Sequence, residues 1–215
     1  MKIPSVNPYH ISAQKRFLDL STALATLIIL TPFITLISFL IKIKRGRPVF
    51  FRQKRAGKNG KVFTLIKFRT MRMGAEKEQK NLKHLNAADG PVFKIYNDPR
   101  YTKFGKILAR TGLDELPQLI NVLKGEMSLV GPRPLPVYEA KKLTGAQKVR
   151  ELVKPGITSS WVTSGAHKLK FSQWMKLDAE YVESASLLKD LSILFKTAKM
   201  VFTLVLRRIL KAFAK

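Results

Sequence analysis

The sequence contains no cysteine, only three histidines and only 14 acidic residues in 215. Without cysteine there is no disulfide framework, which accords with a reducing compartment. The histidines are not clustered, and this argues against a zinc centre or a histidine-based triad. No internal repeat or low-complexity segment is apparent. Against the few acids stand 40 Lys+Arg, a formal net charge of +26. Such a balance selects anionic partners: nucleic acid, acidic lipid headgroups or phosphorylated substrates. The length suits one domain with accessory segments.

What is present begins with a long apolar run over residues 17–41, enough to cross a bilayer at about 20 residues per span. It is too long for the core of a signal peptide, and no small-x-small cleavage site follows it. Lys15 and Arg16 precede the run, and Lys42, Lys44, Arg45 and Arg47 follow it. Basic residues favour the cytoplasmic side, so a simple span would place one basic flank on the wrong side. Thr31-Pro32 in mid-segment offers a helix-break-helix that dips into the membrane and returns, with Thr31 helping to satisfy the freed carbonyl. A single kinked span is the alternative geometry.

The most informative stretch is TGLDELPQLINVLKGEMSLVGPRP, residues 111–134. Leu116, Leu119, Ile120 and Leu123 recur at helical spacing, and Gly125 is the expected stop. Pro117 is tolerated only in a first turn, so Asp114 is the expected N-cap with Glu115 just inside. Asp114 and Glu115 can simply serve the helix end. In a chain so poor in acids, an adjacent pair held ionised there can equally supply a nucleophile or a Mg²⁺ ligand. The Gly131-Pro132-Arg133-Pro134 turn aims one guanidinium.

Strands are expected at residues 49–51 and 62–70 around a turn containing Gly57, Asn59 and Gly60. By the period of two, Lys67 and Arg69 share one face of the second strand. Beyond it the pattern predicts a solvated helical segment over 74–85 and a short strand over 92–95. A short helix over 101–110 and a charged amphipathic helix over 137–150 come next, then a strand about 157–162. A helix over 172–185 should bury Trp174, Leu177, Tyr181 and Val182. The tail, 187–215, mixes apolar and basic residues as a helix lying in the headgroup plane would. The expected class is α+β, mainly helical with short strands. The expected segments are 1–16 (polar), 17–41 (membrane helix), 42–186 (catalytic domain) and 187–215 (amphipathic tail).

The wording LDELPQLINVLKGEMSLVGPRP closely resembles the signature of the bacterial sugar transferases, the monotopic phosphoglycosyl transferases. FRQKRAGKNGKVFTLIKFRTM resembles their second signature, matching at Arg52, Arg55, Gly57, Lys67 and Arg69. KPGIT and FSQWMKLDAEYVESASLLKDLSILFKT extend the likeness to roughly residues 15–200. The resemblance implies a monotopic membrane protein with a Pro-broken re-entrant helix and interfacial amphipathic helices, on the cytoplasmic face of the bacterial inner membrane, both termini cytoplasmic. It implies transfer of a sugar phosphate from a UDP-sugar to a polyprenol phosphate, releasing UMP and initiating glycan assembly. Asp114 would be the nucleophile and Glu115 the ligand of a Mg²⁺ cofactor. Lys67, Arg69 and Arg133 would clamp phosphates, with Arg52, Arg55, Arg110, Pro132 and Asp178 also on the substrate side. Expected partners are the UDP-sugar, the polyprenol phosphate, anionic lipids and a second copy of the chain; no nucleic-acid-binding pattern is found. Relatives often carry Arg, Gln and Arg where this chain has Ala109, Val162 and Ala166, which bears on the donor sugar; His167 or Lys168 could substitute. The competing class is a non-catalytic basic scaffold on anionic membranes.

Overall fold

The computed structural model describes residues 5–165 and 169–213. The chain is mostly helical with short strands. After a 3₁₀ turn, Pro8–Ile11, comes the 33-residue helix α1 (Ala13–Arg45), with Ser12 capping through a hydrogen bond from the Lys15 N–H. Among the described residues this is the one helix long and apolar enough to cross a membrane. The helix continues through Pro32, which lies inside it. The Thr31 hydroxyl bonds to the Leu27 carbonyl at 2.6 Å, not to the Ile28 carbonyl that Pro32 cannot serve.

Both ends of α1 dock on the same domain. At the N-terminal end Lys15 is buried, with its amine 2.5 Å from Asp190 and 3.4 Å from Asp19. Asp19 also accepts from the Ser128 hydroxyl and the Leu129 N–H, and Tyr181 donates to Asp190 at 2.6 Å. Arg16 caps the carbonyls of Val122 and Leu123. These two cations are therefore committed inside the protein, and they are not the free basic flank that composition suggests. Burying the Lys15 charge is tolerable because two carboxylates and the Val130 carbonyl surround it. At the C-terminal end Ile37 and Ile41 bury against Phe68 and Leu108. Between them Leu24, Ile28, Ile29 and Leu36 stay exposed.

Next, β1 (Phe50–Ala56) and β2 (Val62–Phe68) pair antiparallel, from Phe50 opposite Phe68 to Ala56 opposite Val62. The intervening turn places Asn59 and Gly60 at φ 55° and 73°, the left-handed region their small or hydrogen-bonding side chains tolerate. Phe63 and Leu65 enter the main core with Val122, Met127, Leu129 and Ile193, while Phe68 enters the cluster under α1. The first strand is longer than expected, and the second stops at Phe68, leaving Arg69 just past its end.

Helix α2 (Lys103–Thr111) forms as predicted, capped by Thr102. The segment 74–85 holds only short 3₁₀ turns, and 92–95 is not a strand; the Phe93 N–H bonds to a Glu139 side chain instead. Leu113–Gln118 is a 3₁₀ turn leading into the short α3 (Leu119–Leu123), which Gly125 ends at φ 79°. Two three-residue strands, β3 (Ser128–Val130) and β4 (Gly156–Thr158), pair in parallel. The predicted helix over 137–150 is divided into α4 (Val137–Ala140) and a 3₁₀ segment, Gly145–Leu152, because Gly145 turns the chain at φ 49°. The strand expected to reach 162 gives way after Thr158 to α5 (Ser160–Thr163). Helix α6 (Phe171–Ser184) buries Phe171, Asp178, Tyr181 and Val182, with Trp174 and Leu177 half-buried. Finally α7 (Leu187–Phe213) anchors through Asp190 and Ile193 and leaves Leu188, Phe195 and Phe202 about 70% exposed or more (77%, 71% and 69%).

Candidate active site

Three separate elements bring the site together. Helix α2 ends at Gly112, whose φ of 76° turns the chain straight into the 3₁₀ segment carrying Asp114 and Glu115. Fully buried Asn121 ties α3 to β2, donating to the Thr64 carbonyl at 2.8 Å and accepting from the Ile66 N–H at 3.2 Å. That tie sets Lys67, next along β2, with its amine 3.9 Å from Asp114. Arg133 reaches Glu115 from the other side at 2.6 Å.

Arg133 sits in a turn that cannot brace itself, because Pro132 and Pro134 have no N–H to donate. Its carbonyls are held from outside. Pro132 accepts from the Gly156 N–H at 2.9 Å and Pro134 from Arg55 at 2.9 Å, while Arg133 accepts from Arg150 at 2.6 Å. The Gly131 N–H in turn bonds to the Thr158 carbonyl at 3.0 Å. The approach is so close that a Cβ on Gly156 would lie 2.1 Å from the Gly131 nitrogen.

Asp114 does not cap a helix: it lies inside the 3₁₀ turn, which has no side-chain cap, and is only 5% exposed. Burial pushes its carboxyl up to about 6, against the pull of Lys67 and with the Glu115 charge adding to the rise. A helix terminus is thus not what surrounds Asp114. Glu115 differs. Burial raises it too, but Arg133, with Lys67 and Arg55, holds it below its ordinary value. Two adjacent carboxylates are pushed apart by their cations. Burial lowers Lys67 in spite of Asp114, and burial with the neighbouring Arg133 charge brings Arg55 down to about 10.

Glu115, Lys67 and Arg133 line a cleft of ≈ 2120 Å³, and Asp114, 3.9 Å from the Lys67 amine, is not on its wall. Arg52, Arg55, Arg69 and Arg110 line the same cleft, as do apolar side chains of α1 (Leu30, Phe33) and α7 (Leu191, Phe195, Phe202). Arg69 is half-buried and donates to the Gly46 carbonyl, and Arg110 bonds to Asn97 at 2.9 Å. Ala109 and Val162 also face the cleft. Ala166, His167 and Lys168 lie outside the described residues. Pro132, within the turn, is fully buried. Asp178 is not with the group: it is 2% exposed, ion-paired with Arg150 at 3.1 Å, and absent from the cleft wall.

Sequence reasoning missed several residues that the fold delivers. Lys94 lines the cleft with its amine over the rings of Tyr96 (5.3 Å) and Trp174 (5.6 Å), its pKa lowered by burial and by Arg133. Tyr101 lines it too, pushed up to about 12 by burial and then by the Asp114 charge. Trp161 and Trp174 stack at 4.7 Å on its wall. Nothing in the local pattern around residues 92–101 distinguished Lys94 and Tyr101 from surface side chains.

The family model described as bacterial sugar transferase matches residues 10–204. The chain belongs to this family. It is 44% identical over 189 residues to the galactosyl transferase CpsE of Streptococcus agalactiae serotype III, covering 87% of this chain and 42% of that protein. It is 38% identical to the undecaprenyl-phosphate galactose phosphotransferase of Salmonella typhimurium (87% and 40%). To the exopolysaccharide production protein ExoY of Sinorhizobium fredii it is 37% identical, covering 87% of this chain and 84% of ExoY. The chain therefore spans about two fifths of the length of the first two relatives and most of the third. The matched residues of this chain include Asp114, Glu115, Lys67 and Arg133.

Proposed function

We propose that this bacterial sugar transferase moves a sugar phosphate from a UDP-sugar to a polyprenol phosphate through an aspartyl intermediate. The observation that carries the reading is the pair Asp114–Glu115 bracketed by Lys67 and Arg133, at a cleft that also has apolar walls from α1 and α7. One cleft thus offers cations for a diphosphate and apolar surface for a lipid. The relatives' names, a galactose phosphotransferase and a UDP-glucose:undecaprenyl-phosphate glucose-1-phosphate transferase among them, support the same chemistry.

In the first step an Asp114 oxygen attacks the β-phosphorus, and the bond to the bridging oxygen breaks. UMP leaves with that electron pair, and an acyl phosphate remains. The polyprenol phosphate oxygen then attacks the same phosphorus and releases the Asp114 carboxylate. Two unit charges ~4 Å apart repel by about 4 kcal/mol at an effective dielectric near 20, so the diphosphate must be neutralised before a carboxylate can approach. Lys67, Arg133, Arg55 and Arg69 supply that charge. Asp114 is almost out of solvent, so its attack requires the Lys67 amine to swing from the carboxylate to the incoming phosphate. Its raised pKa makes the anion a stronger nucleophile once it is formed.

Among the described residues no three acidic or histidine side chains form a metal cage. Mg²⁺ commonly takes only one or two carboxylates, filling its other positions with phosphate oxygens and water, and Glu115 fits that role. When bound, the ion would add positive charge to the phosphates. For the membrane, both ends of α1 lie on one domain while its middle is exposed, which favours a segment that enters and leaves by the same face. The exposed apolar and basic side chains of α7 favour a place at the lipid surface.

The test is intact mass of the detergent-extracted chain after incubation with a panel of UDP-sugars. A sugar-phosphate adduct with UMP release is expected, and Asp114→Asn should lose both while keeping the wild-type fold. Unchanged turnover in that variant would refute Asp114 as nucleophile. No adduct and no turnover with any donor, alongside tight binding to anionic vesicles, would favour a scaffold.

A further inference from the structure

The Pro-flanked turn poses a mechanical problem. Its carbonyls at Pro132, Arg133 and Pro134 each need a donor from elsewhere, and the one on Arg133 itself is a side chain, Arg150 at 2.6 Å. Arg150 is 6% exposed, and its guanidinium is 3.1 Å from buried Asp178 of α6. Neither residue lines the main cleft. Arg55, the donor to Pro134, does line it and can touch a ligand as well. Arg150 has no such second use. Two buried charges on well-separated segments are costly to retain where apolar residues would pack as well.

We propose that Arg150 and Asp178 are positioning residues: Asp178 orients the Arg150 guanidinium, which grips the Arg133 carbonyl and so aims the Arg133 guanidinium at Glu115 and the phosphates. This rests on the reading of Arg133 as a phosphate clamp, and it removes Asp178 from the groups that touch substrate. One Arg150 nitrogen, Nη2, meets both the Asp178 carboxylate and the Arg133 carbonyl, and the planar guanidinium fixes the direction in which it points, a constraint that a lysine amine lacks.

The test is calorimetric binding of inorganic diphosphate to the detergent-extracted chain. Asp178→Asn and Arg150→Lys should each weaken binding about tenfold, the scale of one charge-assisted hydrogen bond. Arg133→Gln should weaken it at least as much. In the Arg133→Gln background, adding Asp178→Asn should cost less than about twofold, because residues acting through one group are not additive. Val182→Ala, a core truncation beside Val149 and Val153, serves as the control: it should lower the melting temperature and leave diphosphate affinity unchanged. Additive losses, wild-type affinity in Asp178→Asn, or an equal loss in Val182→Ala would each overturn the proposal. If Asp178→Asn fails to fold, Arg150→Lys decides in the same way. A wild-type chain that binds no diphosphate overturns it too, whereas one that binds diphosphate but turns over no UDP-sugar defeats only the donor reading.

Discussion

Gly156→Ala puts the geometry of the Pro-Arg-Pro turn under direct load. The new methyl carbon would meet the Gly131 nitrogen at 2.1 Å, the Thr158 carbonyl oxygen at 2.6 Å and the Gly131 Cα at 2.7 Å. All three are backbone atoms, so no side chain can swing aside. Ordinary contact needs roughly 3.5 Å or more, so β3 and β4 must part by about 1.4 Å at the tightest of the three contacts. Overpacking of this kind costs about 1–3 kcal/mol. The parting also stretches the bonds from Gly156 to Pro132 and from Gly131 to Thr158, now 2.9 and 3.0 Å, at about 1 kcal/mol each. The sum, about 3–5 kcal/mol, is a large fraction of the ~5–15 kcal/mol typical of a domain. Urea denaturation should show it as a lower midpoint, and UMP release should fall at least tenfold as Arg133 shifts. Gly60→Ala is the comparison, since a Cβ there meets nothing within 4 Å and only the left-handed φ is penalised. If Gly156→Ala unfolds at the wild-type midpoint with unchanged turnover, the close approach is not what places Arg133.

Two further outcomes follow from the same geometry. Burial pushes the Asp178 carboxyl up to about 6, with Arg150 opposing, against 3.8 in the unfolded chain. Between those values the native state binds the extra proton, so this group's contribution to stability falls as pH rises, by up to ~3 kcal/mol. The stability of wild type minus that of Asp178→Asn should therefore decline by about that much from pH 4 to 7; a constant difference refutes it. Because the chain has no cysteine, single cysteines at Gln14 and Lys44, near opposite ends of α1, can report its topology. An impermeant maleimide should label both from the cytoplasmic face only, and labelling of either from the opposite face would establish a span.

The residues of the site were legible because their constraints are local. A Pro in the first turn, an adjacent carboxylate pair and a Pro-Arg-Pro turn are short-range features, and the hairpin cations follow from a period of two. The failures were of another kind. Residues 137–150 carry a helical charge pattern, yet Gly145 turns the chain there and Arg150 ends up buried on Asp178. Lys15 and Arg16 read as a basic membrane flank, yet their partners Asp190 and Val122 lie 175 and 106 residues away. Asp114 had every mark of an N-cap, and only its packing beneath Lys67 shows it raised by burial instead.

Composition and local pattern alone therefore settled that the chain is basic, mainly helical and equipped with one long apolar helix and a carboxylate pair. Tertiary structure decided which charges are spent inside the protein and which face the cleft. The reason is that desolvation depends on what surrounds a side chain from every element packed against it, and a neighbour more than a hundred residues distant leaves no trace in the local spacing.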